Sequence, residues 1–238
     1  MRTLAHLSDL HFGRLNPATL APLRRRLIDL KPDLVVVSGD LTQRARAHQF
    51  REARAFLDRL PGPQVVVPGN HDVPLYNLVA RFLAPLSRYR RIVSAEIEPS
   101  FVDGEIAVLG VNTARALVFK GGRVSDAQLA GICKVFDNLR EGVTRILVAH
   151  HPFMERLGES GADIIIAGHA HATRVQRLAC GTLMVQAGTA TSRRTREEPN
   201  SFNVLRIAPP RLQVESHALC HGRFVRATTG TFMLDGAR

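Results

Sequence analysis

The sequence predicts an α/β fold organised around a largely parallel sheet, and two observations favour this class. Short β-branched runs, typical of buried strands, alternate within residues 3–67 with segments whose apolar residues recur at helical spacing. Such alternation is characteristic of parallel strands joined by right-handed crossovers. In addition, each of the first three strands ends in polar residues of metal-binding type, so these side chains are expected at one edge of the sheet.

The first part of the chain supplies three strands and two helices. The strands are predicted at residues 3–8, 34–37 and 65–67. Asn16-Pro17 is typical of a helix cap and first turn, and leucines follow at helical spacing. The second helix precedes Pro61-Gly62-Pro63, which ends it and leads into the third strand.

The remaining elements are a mixture of helices and strands. A helix is predicted at residues 75–90, with Tyr89 at a solvated end, and a hairpin at residues 101–109. Ser125 and Gln128 form a capping box that begins another helix. Further strands are predicted at residues 146–149, 164–167, 183–186, 203–207 and 212–215. The last part of the chain has no clear period, and an edge hairpin and a dimer contact both stay open.

Length and composition indicate one domain, residues 1–238, in which residues 75–125 and 200–238 are candidates for small cap or dimer elements. No apolar run approaches the ~20 residues that span a bilayer. Residues 1–7 lack the apolar core of a signal peptide. Three scattered cysteines argue against a disulfide framework. We therefore expect a cytoplasmic protein without a membrane partner.

The net charge of +11 comes almost entirely from arginine. One explanation is attraction to polyanions, including nucleic acid, or to phosphorylated substrates. The other is that the arginines occupy solvated faces, and we favour it for blocks such as Arg24-Arg25-Arg26. With two tyrosines and no tryptophan, the chain offers little aromatic surface for stacking single-stranded nucleic acid.

The chain is organised around Pro68-Gly69-Asn70-His71-Asp72, where a buried strand stops and delivers polar side chains to its tip. Similar tips follow four other strands, and together the tips present Asp9, His11, Asp40, Asn70, His71, His150, His151, His169 and His171. Mixed carboxylate and imidazole ligands favour Mn, Fe or Zn over Mg or Ca. Because one ion cannot use so many ligands, we expect two metal ions ~3.5–4 Å apart, bridged by one carboxylate.

Five motifs, taken in order, resemble those of the calcineurin-like metallophosphoesterases: Asp9-Leu10-His11, Gly39-Asp40, Gly69-Asn70-His71-Asp72, His150-His151-Pro152 and Gly168-His169-Ala170-His171. Within that family the chain is most similar to the bacterial class III cyclic-nucleotide phosphodiesterases, on His150-His151-Pro152 and residues 187–192. The resemblance implies a four-layer α-β-β-α sandwich of two mixed sheets flanked by helices. It also implies phosphodiester hydrolysis by a hydroxide that bridges two metals.

The resemblance further implies the two ligand sets. One metal would be held by Asp9, His11, Asp40 and His171. The second would be held by Asp40, Asn70, His150 and His169, so that Asp40 bridges the ions. Of the two adjacent histidines, His150 is assigned as the ligand because it lies two residues before Pro152. His151 then either supports a ligand or faces the substrate.

Several residues are predicted around these ligands. The resemblance implies that His71 lies over the phosphate, as a general acid or as a hydrogen-bond donor to the leaving oxygen, with Asp72 orienting its other nitrogen. Asn70, His71 and His151 are the candidates for substrate binding. A helix cap is the alternative role for Asp72. The loop arginines either clamp phosphate or are solvated, and we favour solvation for Arg193, Arg194 and Arg196.

Three functions fit these observations. The first is a metal-dependent phosphodiesterase acting on a cyclic nucleotide or similar small diester. The second is a DNA or RNA nuclease of the same family, suggested by the charge. The third is a catalytically silent binding scaffold, which ranks last because no motif residue is lost. The oligomeric state stays open, and the resemblance adds a homodimer as one alternative, since related proteins often dimerise.

Overall fold

The computed structural model describes residues 1–116, 121–152, 154–195 and 198–234. Its strands are β1 (Arg2–Leu7), β2 (Leu34–Ser38), β3 (Gln64–Val67), β4 (Ser100–Val102), β5 (Ile106–Val111), β6 (Thr144–Ala149), β7 (Ile164–Ala167), β8 (Arg174–Arg177), β9 (Leu183–Gln186), β10 (Ser201–Ala208), β11 (Arg211–Cys220) and β12 (Arg223–Met233). Its helices are α1 (Pro17–Leu30), α2 (Ala47–Leu57), α3 (Leu78–Leu83), α4 (Ser87–Ile92), α5 (Asp126–Asp137) and α6 (Met154–Gly158).

The strands form two mixed sheets. The first has the order β12-β11-β10-β1-β2-β3, in which β1, β2 and β3 are parallel and β10, β11 and β12 are antiparallel. The second has the order β4-β5-β6-β7-β9-β8, with a parallel centre of β5, β6, β7 and β9. The prediction of two mixed sheets is confirmed.

The two sheets pack face to face because their central strands are apolar on both faces. In β2, Leu34 and Val36 point into the core between the sheets, where they meet residues such as Val148 of β6. The alternate residues Val35 and Val37 point the other way, into the core beneath α1 and α2. A third core lies between the second sheet and α5. The layers are therefore helix, sheet, sheet and helix, which confirms the α/β sandwich.

Local signals in the sequence set several boundaries. The side chain of Asn16 accepts a hydrogen bond from the N–H of Ala18, which caps α1 before Pro17. In the capping box of α5, the Ser125 hydroxyl accepts from the N–H of Gln128, and the Gln128 side chain accepts from the N–H of Ser125. The predicted hairpin at residues 101–109 forms as the antiparallel pair β4 and β5.

The single helix predicted at residues 75–90 is wrong, because the segment forms two short helices. α3 ends at Leu83, two residues before Pro85, since a proline disfavours helical conformation in the residue before it. Tyr89 is not solvated: its side chain is fully buried, and its hydroxyl donates to the carbonyl of Val66 at 2.8 Å. Conversely, Leu83 on α3 is 81% exposed. The apolar period of this segment therefore does not mark one buried face.

The C-terminal strands extend the first sheet. β11 pairs with β10 and β12, so the described end of the chain forms the edge hairpin that the sequence left open. A homodimer stays a prediction. Among the described residues, no helix combines the length and apolar character needed to cross a membrane.

Candidate metal centre

The tips of strands from both sheets meet at one edge of the sandwich. Backbone hydrogen bonds join the loops that carry the predicted ligands. The N–H of Asp9 donates to the carbonyl of Gly39 at 3.1 Å, and the N–H of His11 donates to the carbonyl of Asp40 at 2.9 Å. In the second sheet, the N–H of Gly168 donates to the carbonyl of His150 at 3.1 Å. The loops are therefore fixed to one another before any side chain is considered.

The backbone bends sharply at many of the predicted ligands. Positive φ angles, which side chains other than glycine rarely adopt, occur at Asp9 (53°), His11 (50°), Asp40 (52°), His169 (69°) and His171 (56°). Each such residue is held in an unfavourable conformation by its surroundings. Strain of this kind concentrates at functional sites, where it aims side chains that a regular strand would direct elsewhere.

A first group of donors, the Asp9 cluster, comprises Asp9, His11 and His171, all of them buried. Nε2 of His171 lies 3.1 Å from Oδ1 of Asp9 and 3.3 Å from Nε2 of His11. Nε2 of His11 is 3.5 Å from the same carboxylate oxygen. Two imidazole nitrogens and one carboxylate oxygen therefore converge on one point.

A second group, the Asn70 cluster, comprises Asn70, His150 and His169. Oδ1 of Asn70 lies 3.1 Å from Nε2 of His150 and 3.1 Å from Nδ1 of His169. Asp40 stands between the two clusters: its Oδ1 is 3.4 Å from Nε2 of His150, and its Oδ2 is 3.7 Å from Nε2 of His11. The structure therefore brings the seven predicted ligands close together, with Asp40 between the two clusters.

The hydrogen bonds around the clusters orient the side chains so that their metal-ligand atoms point into the clusters. Nδ1 of His150 lies 2.8 Å from the Ser38 carbonyl, and Nδ1 of His171 lies 2.9 Å from the Arg194 carbonyl. Since a carbonyl only accepts, each Nδ1 carries the proton that it donates, and each Nε2 faces its cluster. Oδ2 of Asp9 accepts two hydrogen bonds, whereas the buried Oδ1 accepts none. The His and Asp clusters therefore fit a binuclear metal site.

The electrostatics of the clusters depend on close pairs of opposite charge. Burial opposes the ionisation of Asp40, but His150 outweighs it, so the pKa of Asp40 lies below its usual range. Burial likewise opposes a charge on His150, yet Asp40 raises the pKa of that imidazole to about 9. Burial, followed by the charge of His150, lowers the pKa of His169 to about 4. His150 would bind a cation through an unprotonated Nε2, because metals bind the deprotonated ligand.

His71 lies at the rim of the site and has two partners that the sequence did not indicate. Its backbone N–H donates to Oδ1 of Asp40 at 2.8 Å, and its ring meets that of His11 edge-on at 5.0 Å. Nδ1 lies 3.0 Å from the carbonyl of Gln43, and Nε2 lies 3.0 Å from Nη1 of Arg194. Gln43 lies three residues after Asp40. The sequence could not identify it as a partner of His71, because it acts through a backbone carbonyl, which every residue has.

Asp72 does not orient the ring of His71, which corrects the role implied by the resemblance. Its buried carboxylate accepts hydrogen bonds from the N–H groups of Leu41 (3.1 Å), Thr42 (2.8 Å) and Gly69 (2.9 Å), and from the Thr42 hydroxyl (3.0 Å). These four hydrogen bonds occupy both oxygens of the carboxylate, so no site is left for an imidazole. Asp72 ties two ligand loops together, which is closer to the capping alternative.

We expect Asp72→Asn to destabilise the protein by about 2–3 kcal/mol, because the new NH₂ group must face buried N–H donors. The measurement is the free energy of unfolding in urea, with EDTA present so that metal binding does not contribute. Asp137→Asn, on the exposed end of α5, is the control and should change stability by less than about 0.5 kcal/mol. Unchanged stability with a large loss of kcat would return Asp72 to a catalytic role.

His151 is buried behind the Asn70 cluster. Its Nδ1 lies 2.8 Å from the Thr113 hydroxyl, and its ring centroid lies 4.6 Å from that of His169 and 4.8 Å from that of His150. Burial, followed by the charge of His150, lowers the pKa of His151 to about 2. The side chain is 2% exposed, and one of its ring nitrogens lies within 4.8 Å of ring nitrogens of His150 and His169.

The three loop arginines occupy different positions. Arg193 is exposed, as expected for a solvated loop, whereas the guanidinium of Arg194 is half-buried against His71. Arg196 lies outside the described residues. The interpretation of all three as solvated is therefore wrong for Arg194, because its guanidinium packs against His71, which is distant in sequence.

A four-layer sandwich with paired Asp and His clusters at the strand tips is the arrangement that the resemblance to the metallophosphoesterases implies. A family model described as calcineurin-like phosphoesterase matches residues 2–173, and the chain belongs to that family. Among the proteins to which the chain is similar are two that are named as phosphodiesterases.

Two relatives and one solved structure give the extent of the similarity. The chain is 28% identical over 179 residues to glycerophosphodiester phosphodiesterase GpdQ of Enterobacter lignolyticus, covering 71% of this chain but only 63% of that protein. It is 23% identical over 235 residues to a probable cyclic nucleotide phosphodiesterase of Synechococcus sp., covering 87% and 88%. A dimetal phosphatase from Danio rerio has the same fold, with a TM-score of 0.69, 14% identity and coverage of 98% and 99%.

Proposed function

We propose that this protein is a metal-dependent phosphodiesterase that hydrolyses a small diester, such as a cyclic nucleotide. One observation carries the proposal: Asp40 directs one carboxylate oxygen toward each of two converging clusters of buried donors. Two cations sharing a carboxylate form the arrangement that activates water for attack at phosphorus. Mixed nitrogen and oxygen donors favour Mn, Fe or Zn as the occupants.

In this proposal each cluster holds one ion. Asp9, His11 and His171 would hold the first, Asn70, His150 and His169 the second, and Asp40 both. When bound, the ions would supply a water of lowered pKa and neutralise charge on the phosphate oxygens. The chain itself fixes the geometry, since the carbonyls of Ser38 and Arg194 orient two of the imidazoles.

His71 is positioned to contact the substrate in this proposal. The ring lies beside His11 at the rim and is only half-buried, so Nε2 can approach an oxygen of the phosphate. The Gln43 carbonyl accepts from Nδ1, which keeps the ring in one orientation. Once Nε2 is also protonated, His71 either donates a hydrogen bond to the leaving oxygen or transfers the proton to it.

The choice of a small diester rests on the two relatives, whose names describe phosphodiesterases of a glycerophosphodiester and of a cyclic nucleotide. A nuclease is the second candidate because the net charge is +11. Binding to DNA measured at several salt concentrations separates the two, since a protein that grips a polyanionic backbone loses affinity steeply as salt rises.

The first experiment is hydrolysis of bis(p-nitrophenyl) phosphate with added Mn²⁺ and with EDTA. We expect metal-dependent cleavage in the wild type and a loss of at least about 100-fold in Asn70→Ala, which removes a donor from the second cluster. Asn138→Ala is the matched control, because Asn138 lies on the exposed end of α5 and should leave activity within about twofold.

Two outcomes would contradict the proposal. Hydrolysis of the corresponding monoester alone would indicate a phosphatase. Inactivity toward both esters, with metal bound in amounts close to two ions per chain, would favour a binding scaffold.

A further inference from the structure

Arg194 occupies an unusual place for an arginine, at the rim of a site that would hold two cations. Nη1 of its guanidinium lies 3.0 Å from Nε2 of His71, and its own carbonyl accepts from Nδ1 of His171 at 2.9 Å. The backbone N–H donates to the Ser192 hydroxyl at 3.0 Å. The residue is therefore anchored through its main chain, while its side chain reaches across to a different motif.

The guanidinium is not balanced by a carboxylate among the residues that the structure describes. No aspartate or glutamate in those ranges lies within ion-pair distance of it, whereas Arg206 and Arg54, for example, each pair with an acid. Its contact with His71 occupies one of five N–H donors. Within the described ranges, the other donors have no acceptor, so they and the charge can meet an anion.

The orientation of His71 explains why an arginine is tolerated there. Because Nδ1 faces the Gln43 carbonyl, Nδ1 carries the proton and the lone pair of Nε2 accepts from Arg194. The His71 ring also meets the His11 ring at 5.0 Å, so the guanidinium lies next to the Asp9 cluster. Cations in the clusters would repel it unless an anion lay between them.

We propose that Arg194 is a phosphate-binding residue, whose guanidinium binds a non-bridging oxygen of the substrate phosphate and thereby releases Nε2 of His71 for the leaving oxygen. This inference rests on the proposed function for the identity of the substrate. The planar fork of arginine matches the spacing of phosphate oxygens, and charge-assisted hydrogen bonds of this type are the strong ones. Arg194 would thus select substrates by their phosphate, while His71 and the metal ligands act on the scissile bond.

The test uses inorganic phosphate as the probe and titrates it into the metal-loaded protein by calorimetry. We expect Arg194→Gln to weaken phosphate binding about 10- to 100-fold and Arg194→Lys to weaken it less, because lysine keeps the charge but not the fork. The matched control is Arg193→Gln, one residue earlier and exposed, which should bind phosphate within about twofold of the wild type.

Kinetics and metal content distinguish substrate binding from a structural role. In Arg194→Gln the KM for the diester should rise by a similar factor, with a smaller change in kcat and unchanged metal content. Phosphate affinity within about twofold of the wild type would overturn the inference, as would equal losses in Arg193→Gln and Arg194→Gln. Weaker phosphate binding accompanied by loss of metal would also overturn it, since Arg194 would then act only by holding the loop around His171.

Failure of the proposed function would look different. If the wild type cleaves no diester but Arg194→Gln still weakens phosphate binding, the phosphodiesterase assignment fails and the phosphate site stands. If the wild type cleaves diesters and Arg194→Gln binds phosphate normally, the phosphodiesterase assignment stands and the role of Arg194 in phosphate binding is excluded.

Discussion

Replacing Asp40 by Asn is expected to lower diester hydrolysis at least about a thousandfold and to reduce bound metal from about two ions per chain toward about one. Asp40 is the residue that faces both clusters, at 3.4 Å from Nε2 of His150 and 3.7 Å from Nε2 of His11. An amide has the same shape but lacks the charge and the second oxygen, so it cannot bridge two cations.

The measurements for Asp40→Asn are steady-state hydrolysis of bis(p-nitrophenyl) phosphate and metal content by elemental analysis. Asp58→Asn is the matched control, because that carboxylate is exposed and pairs with Arg54 on the surface. Asp58→Asn should leave the rate of hydrolysis and the metal content within about twofold of the wild-type values. An Asp40→Asn variant that keeps wild-type metal content and activity would exclude the shared-carboxylate site.

Gly69→Ala is expected to lower the free energy of unfolding by about 3 kcal/mol, which is a large share of the stability of a typical domain. A Cβ at this position would lie 2.2 Å from Oδ1 of Asp40 and 2.3 Å from the backbone nitrogen of Asp40. Because one of these atoms belongs to the main chain, the loops after β2 and β3 must separate. The carboxylate of Asp40 would move with them.

Urea unfolding in EDTA measures this cost, and metal titration shows whether the displaced carboxylate still binds. The control is Gly131→Ala in the exposed part of α5, where a Cβ meets no atom within 4 Å. It should raise stability by about 0.5–1 kcal/mol, because alanine favours helix more than glycine does. Wild-type stability in Gly69→Ala would show that the two loops are not in the close contact described above.

The buried strands and the meeting of the motifs at their tips illustrate what local sequence can specify. The β-branched runs at residues 34–37 and 164–167 predict buried strands because their side chains are apolar on both faces. The polar residues that follow each run must then lie at the strand tips, since burying them unpaired is costly. In parallel strands those tips share one edge, so the seven candidate ligands could be named before their distances were known.

Contacts that depend on the backbone of a distant loop could not be named in this way. Gln43 meets His71 through a carbonyl, and Asp72 accepts from the N–H groups of Leu41 and Thr42, and such groups are the same in every residue. The burial of Tyr89 likewise depends on tertiary packing, which brings its hydroxyl to the carbonyl of Val66.

The sequence by itself determined the α/β class, the family of the chain and the set of candidate ligands, because periodicity and residue type are local properties. Only the tertiary structure decided which donors share a cluster, that Asp40 faces both, and that Arg194 rather than Asp72 lies against the His71 ring. The physical reason is that these contacts join loops far apart in the chain, and their geometry follows from the packing of two sheets.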